Sequence, residues 1–224
     1  MNKNFPKNGG PMSEFVDWHH EEMMKKAKEA LEAHNFLVEL CMSGDDARDK
    51  ALQEFDKTSS IGIGGSMTVR EIGLFDHLKN NGYNLINPYV PDLTLEQVFE
   101  LRRKTLMSDF FLAGCNAITT EGEIVNIDGY GNRVSAIIFG PKKVFLFAGM
   151  NKIVMDRQQA IDRVLDVAAP INAKRLKRNT PCAEDGFCTD CDAEERICKH
   201  LTINMRQNIP DRIKIFLIKE NLGF

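Results

Sequence analysis

The sequence predicts an α/β fold built on a mostly parallel sheet, and three observations carry that expectation. Short apolar runs alternate with segments of helical periodicity along the whole chain, as in successive βα units. Two of those runs, 110–113 and 144–148, are rich enough in Phe, Leu, Val and Ala to be strands buried on both faces. Between them, residues 115–152 are small, polar and glycine-rich, with Glu121, Asp128 and Arg133 among them. Charge, amide and Gly between two core strands is the layout of a ligand site at the carboxyl ends of parallel strands.

Taken in order, residues 1–12 lack an apolar stretch and read as a disordered tail rather than a secretory leader. Ser13 is a plausible N-cap for a helix in which Val16, Met23, Ala27, Ala30 and Leu31 recur at helical spacing. His19 and His20 on that helix have no i,i+4 partner and read as a packing or solvated face, not a metal site. Residues 36–42 form a strand, and Ser43-Gly44-Asp45 turns into a helix with Ala47, Ala51, Leu52 and Phe55 on one side. The apolar stretch 61–63 runs into Gly64, Gly65 and Ser66, and Ser66 or Thr68 caps a helix ending near Gly82. Strand, glycines and helix start together present bare N–H groups to an anion, although neither a Walker A loop nor a full dinucleotide fingerprint is present.

Residues 83–87 give another strand, and Thr94 with Gln97 makes a capping box for a helix reaching about Met107. Arg102, Arg103 and Lys104 read as its wet face. Glu121-Gly122 is the tight turn of a β-hairpin between 117–120 and 123–126. A second turn cluster, 128–132, leads into 133–139, which looks helical, with a strand as the alternative. Asp156 caps a long helix that Pro170 should kink or break. Beyond it Lys174, Arg175, Lys177 and Arg178 read as solvated, with a phosphate-facing patch as the alternative.

The 29 Lys and Arg nearly balance the 32 Asp and Glu, so no basic surface points to nucleic acid. No apolar run approaches the length of a membrane span. At 224 residues the chain fits a single domain, 13–224, carrying a Cys-rich loop at 179–200. Six cysteines without a leader imply reduced thiols in a cytoplasmic setting. Cys41 and Cys115 lie on or beside strands and read as small core residues. Cys182, Cys188, Cys191 and Cys198 crowd one short acidic loop, and the C-x2-C knuckle lets thiolates converge on one metal. Bare exposed thiols oxidise, which favours a metal centre there, and the spacing leaves zinc and an iron–sulfur cluster both open.

Several short motifs together carry a resemblance. They are Ile63-Gly64-Gly65-Ser66-Met67-Thr68-Val69-Arg70-Glu71, Asn126-Ile127-Asp128-Gly129, Gly131-Asn132-Arg133-Val134, Ala148-Gly149-Met150-Asn151-Lys152-Ile153-Val154, Thr180-Pro181-Cys182 and Leu222-Gly223-Phe224. In combination they resemble the lactate-utilisation (LUD) domain family, in particular a shorter branch of unknown function. The resemblance implies a Rossmann-like three-layer sandwich of the NagB/RpiA/CoA-transferase type with an inserted β-hairpin. It implies a role near lactate or organic-acid utilisation, with an iron–sulfur redox protein as an expected partner. The wider superfamily includes CoA transferases that use a Glu beside a Gly, so Glu121 becomes the candidate catalytic carboxylate, with Gly64, Gly65 and Ser66 offering oxyanion donors. A solvated hairpin residue is the competing and favoured reading of Glu121.

The ligand residues expected on this reading are Gly64, Gly65, Ser66, Asn116, Asp128, Gly131, Asn132, Arg133 and Lys152. Arg133 would hold a carboxylate or phosphate through two parallel hydrogen bonds, unless it pairs with Asp128 while Asn132 caps the following helix. The expected ligand is a small anionic metabolite or nucleotide-like molecule. A non-catalytic accessory subunit with a zinc staple and a CoA-transferase-like enzyme are the rival expectations; whether the protein is an enzyme, and whether it forms a homo-oligomer, the sequence leaves open.

Overall fold

The structure, a computed structural model, describes residues 12–224, so the expected tail falls almost wholly outside the described residues. The chain opens with α1 (Met12–Ala33), β1 (Leu37–Cys41) and α2 (Gly44–Leu52). β2 (Ser60–Ile63) leads into two short helices, α3 (Met67–Glu71) and α4 (Leu74–Asn80). β3 (Asn84–Ile86), α5 (Leu95–Thr105) and β4 (Phe110–Gly114) follow. The hairpin of β5 (Ala117–Thr119) and β6 (Ile124–Asp128) precedes α6 (Asn132–Ile138) and β7 (Lys143–Gly149). β8 (Ile153–Val154) leads to α7 (Arg157–Arg163), a π-helical segment (Val164–Ala168) and α8 (Ala169–Arg175). The last elements are α9 (Pro181–Asp185), β9 (His200–Asn204) and β10 (Ile213–Ile218).

Six strands form one parallel sheet in the order β1-β10-β7-β4-β2-β3. Because side chains alternate across a strand, each central strand feeds two separate cores. Phe110, Leu112, Phe145, Phe147 and Phe216 point to the face covered by α2, α3 and α4. Phe111, Ala113, Leu146, Ala148 and Leu217 point to the face covered by α1 and α6. The result is a Rossmann-like three-layer sandwich. Phe147 and Phe216 stack at 4.8 Å between centroids, and a fully buried Phe stabilises by roughly 1.5–3 kcal/mol. The hairpin belongs to a second, mixed sheet in the order β8-β5-β6-β9. One of its faces packs toward α1 and the other toward α7, through Ala117 and Val125 against Ala160 and Val164.

Local expectations meet the structure at several points. The Thr94 and Gln97 capping box forms, and Ser43, Ser66 and Asp156 cap their helices. Ser13 lies inside α1 rather than at its cap, and Val16 is exposed, so the apolar face begins lower, with Met24, Ala27 and Leu31. The single helix expected after Ser66 is two helices, because Gly73 takes a left-handed φ of 71° between them. Pro170 does not end its helix. The π turn before it widens the coil, which relieves both the clash of the ring and the missing N–H. β8, β9 and β10 were not expected from the sequence, and β10 is a central strand.

Candidate functional site

β2 connects outward to β3, whereas its neighbour β4 connects to the opposite side, to β7. A reversal of this kind leaves a crevice beyond the carboxyl ends of the two strands. A cavity of about 550 Å³ lies there. Gly64, Gly65 and Ser66 reach it from β2, Asn116 from β4, Asp128, Asn132 and Arg133 from the end of β6, and Lys152 from the turn after β7. Of the expected ligand residues only Gly131 does not line it; its φ of 78° instead sets the start of α6. Gly64 spends its N–H on the Leu112 carbonyl at 2.8 Å. Gly65 has a φ of 74°, and a Cβ there would lie 2.5 Å from the Tyr89 hydroxyl.

Arg133 lines the cavity, yet its fork is spent within the chain. Nε donates to Asp128 Oδ1 at 2.9 Å. Nη1 donates to the Gly114 carbonyl at 2.9 Å and to Asn126 Oδ1 at 2.6 Å. Nη2 donates to Asn116 Oδ1 and to the Ile127 carbonyl, each at 2.9 Å. A guanidinium has five N–H donors, and all five are engaged. Arg133 therefore ties the end of β4 to the end of β6 and is not free to clamp an anion. Asp128 also accepts from the backbone N–H of Arg133 and of Val134, each at 3.0 Å. Asp128, not Asn132, caps α6, which leaves the Asn132 side chain facing the cavity.

Lys152 differs. It is 3% exposed, and its Nζ donates to Thr68 Oγ1 at 2.9 Å. Burial, with the Arg163 and Arg133 guanidinia nearby, brings it down to about 8. Cys115 beside it is buried and held protonated, its thiol pushed up by burial. Three arginines complete the wall, Arg102 on α5, Arg175 at the end of α8 and Arg178 just beyond the turn that follows it. Arg102 stacks 4.6 Å from the centre of the Tyr130 ring. Arg175 bonds the Asn172 amide oxygen at 2.8 and 3.0 Å and is pushed down by burial and by Arg70. The Nε atoms of Arg102 and Arg178 are buried without a hydrogen-bond partner among the described residues. Of the carboxylates on the wall, Asp128 is consumed by Arg133, Glu195 accepts the Asn179 N–H at 2.6 Å, and Glu194 is the third. Seven cationic side chains, Arg102, Arg133, Lys152, Arg175, Arg178, Arg196 and Lys199, thus face three carboxylates among the described residues. Arg103 and Lys104 stay exposed, as expected of a wet face. Arg102, Arg175 and Arg178 line the cavity, Arg175 while still exposed; for Arg175 and Arg178 a phosphate-facing patch was the alternative expectation, and for Arg102 periodicity gave no sign.

Glu121 is exposed at the hairpin tip and does not line the cavity. The tip is pinned on α1 instead: the Gly122 carbonyl pairs with His34 Nδ1 at 3.0 Å, and a Cβ at Gly122 would lie 2.6 Å from the Ala30 backbone. The expected partnership of Glu121 with Gly64, Gly65 and Ser66 is not formed. The carboxylate that is buried nearby is Glu123, bound by Arg157.

The cysteine loop is organised by an arginine. Arg196 donates to the Cys198 carbonyl at 2.9 Å, to the Cys191 carbonyl at 2.6 Å and to Asp190 at 2.6 Å. Cys182 is on α9, its sulfur 3.5 Å from the Thr180 hydroxyl. Among the described residues no three His, Cys, Asp or Glu side chains gather closely enough to hold a metal ion. Cys41 and Cys115 are buried, as expected of core residues. No described helix is long and apolar enough to cross a membrane.

A model of the LUD domain matches residues 24–218. Among solved structures, a DUF162 family protein from Deinococcus radiodurans superposes with a TM-score of 0.53 at 13% identity, over 89% of this chain and 98% of that one. The likeness is one of fold. The eIF2B delta structure from Chaetomium thermophilum gives a TM-score of 0.35 at 15% identity, over 67% of this chain and 59% of that one, too low to carry a comparison. No curated protein matches the chain significantly.

Proposed function

The chain belongs to the LUD domain family, and from that premise we propose that it binds a small organic-acid or nucleotide-like anion in the cavity beyond β2 and β4. One observation carries the reading: Arg102, Arg175, Arg178 and Lys152 converge there without carboxylate partners. Unpaired charge is costly where it is buried, as Lys152 is and as Arg102 and Arg178 partly are, so an incoming anion that completes these groups gains what the free protein lacks. Guanidinia suit carboxylate and phosphate because both are planar or forked acceptors. The Asn132 amide and the Ser66 hydroxyl add uncharged contacts on the same wall. The aromatic faces of Tyr89 and Tyr130 leave room for an organic body behind the charge.

The test is calorimetry and thermal shift with lactate, citrate, inorganic phosphate, ATP and coenzyme A. Binding should stabilise the fold with the logarithm of ligand concentration above Kd, weaken with salt, and fall about tenfold, or roughly 1.4 kcal/mol, in Arg175→Gln. If none of these anions stabilises the protein at low salt, the proposal fails.

A further inference from the structure

Lys152 is poorly suited to being a passive anion-binding charge. It lines the cavity, yet its Nζ contacts a hydroxyl, Thr68 Oγ1, rather than a carboxylate. The charged and titratable groups around it are Cys115, Arg163, Arg133 and Glu71. Two of the four are guanidinia already held by chain carbonyls and amides, among them the Asn116 and Asn151 carbonyls on Arg163. The Glu71 carboxylate is engaged by the Gly223 N–H at 2.6 Å. Gly223 also closes over the amine: a Cβ there would lie 3.1 Å from Nζ and 2.6 Å from Thr68 Oγ1. The amine is therefore fixed in place, without a counter-ion, at the wall of a polar cavity.

We propose that Lys152 captures its ligand covalently, its Nζ forming a reversible imine with an aldehyde or ketone carbonyl on the anion held in this cavity. The idea rests on the anion-binding reading and narrows it to carbonyl-bearing anions. In the step, the Nζ lone pair attacks the carbonyl carbon and the carbonyl oxygen takes up a proton. The amine gives up its own protons, and the carbinolamine loses one water to leave C=N. No oxidant or reductant is needed, and hydrolysis returns the ligand unchanged. The anionic group would rest on the arginine wall, which orients the carbonyl toward Lys152; Lys199 also lines the cavity, so labelling there is the comparison within the site. Burial that disfavours an ammonium leaves a better nucleophile, and each pKa unit of depression raises the free-amine fraction about tenfold at a pH below it.

The experiment is reductive trapping on the unaltered full chain. The protein is incubated with pyruvate, glyoxylate or glyceraldehyde 3-phosphate, reduced with borohydride, digested and mapped by mass spectrometry. A thermal-shift series with lactate and phosphate, which lack a reactive carbonyl, runs beside it. Labelling of Lys152 at least about tenfold above any other lysine, and protection of Lys152 by lactate or phosphate, is the expected result. The carboxylate and phosphate arms show which anionic group the arginines take. Labelling spread evenly over surface lysines, or absent at Lys152, overturns the imine. If any of the five anions of the binding screen still stabilises the fold in that case, anion binding stands without it, and if none does, both readings fall. Lys152→Gln should lose the mass increment while Lys142→Gln keeps it. Because the mapping is made on the native chain, a variant that fails to fold does not decide the matter.

Discussion

Asp128 grips Arg133 from both sides, taking its backbone N–H on one carboxylate oxygen at 3.0 Å and its guanidinium Nε on the other at 2.9 Å. One acid thus caps α6 and anchors the side chain that joins the ends of β4 and β6. Removing it leaves a nearly buried guanidinium unpaired. Asp128→Ala should cost on the order of 3–5 kcal/mol in denaturant unfolding. Arg133→Lys keeps the charge but replaces a five-donor fork with three donors, and should cost roughly 2–3 kcal/mol for the acceptors it strands. A loss below about 0.5 kcal/mol in either variant, the ordinary range for surface substitutions, would mean the web does not hold the site together.

Lys152 should make the fold weaker at neutral pH than it would otherwise be. Its folded-state value, about 8, lies below its unfolded value of about 10.4. Below pH 8 both states carry the proton and the burial penalty is fully present. Between about 8 and 10 the unfolded chain holds a proton the folded chain lacks, so stability rises with pH. Lys152→Met should raise stability at pH 7 by on the order of 2–3 kcal/mol and flatten that slope. Urea midpoints from pH 7 to 10 on both proteins read it directly, and the same variant should bind anions less well.

Two glycines with positive φ should respond differently to alanine. At Gly122 the new methyl meets the Ala30 backbone, which cannot move without shifting α1. At Gly65 it meets the tip of the Tyr89 side chain, which can swing aside. Gly65→Ala should cost roughly 1–2 kcal/mol, the left-handed backbone term alone, and Gly122→Ala distinctly more. Melting temperatures should separate them by several degrees, and equal losses would show that the hairpin tip gives way.

Arg196 is the one side chain tying Cys191, Cys198 and Asp190 together. In Arg196→Ala the loop should open and its thiols should react faster with a small disulfide reagent. Global stability should change by less than about 1 kcal/mol, because the arginine ties only a surface loop. Unchanged thiol reactivity would show that the loop is held from elsewhere.

Much of this was legible from local chemistry. The caps at Ser43, Ser66, Thr94 and Asp156 and the turn at Gly122 are short-range signals, and they held. The loops that line the cavity were legible too, because Gly, amide and charge cluster after apolar strands at residues 64–66 and 126–133. What escaped was set by distance. The run at 213–218 is a six-residue strand, but a short apolar stretch does not say which neighbours it will join. Arg102 and Arg175 look like any exposed helical arginines, and Arg178 like a residue of the turn after α8, until the helices are packed. The saturation of Arg133 depends on Asn116, Asn126 and Asp128 meeting across two strands, which spacing alone does not reveal.

The position of β10 has a consequence for how the molecule is made. This strand fills the gap between β1 and β7, yet ribosomes deliver it well after both. Until then β1 has no neighbour in the sheet, and β7 offers a bare row of amides and carbonyls on that side, open to capture by other chains. Completion of the domain is a late insertion into a waiting slot, so any pause or cleavage upstream of residue 213 should leave an aggregation-prone remnant in need of a chaperone.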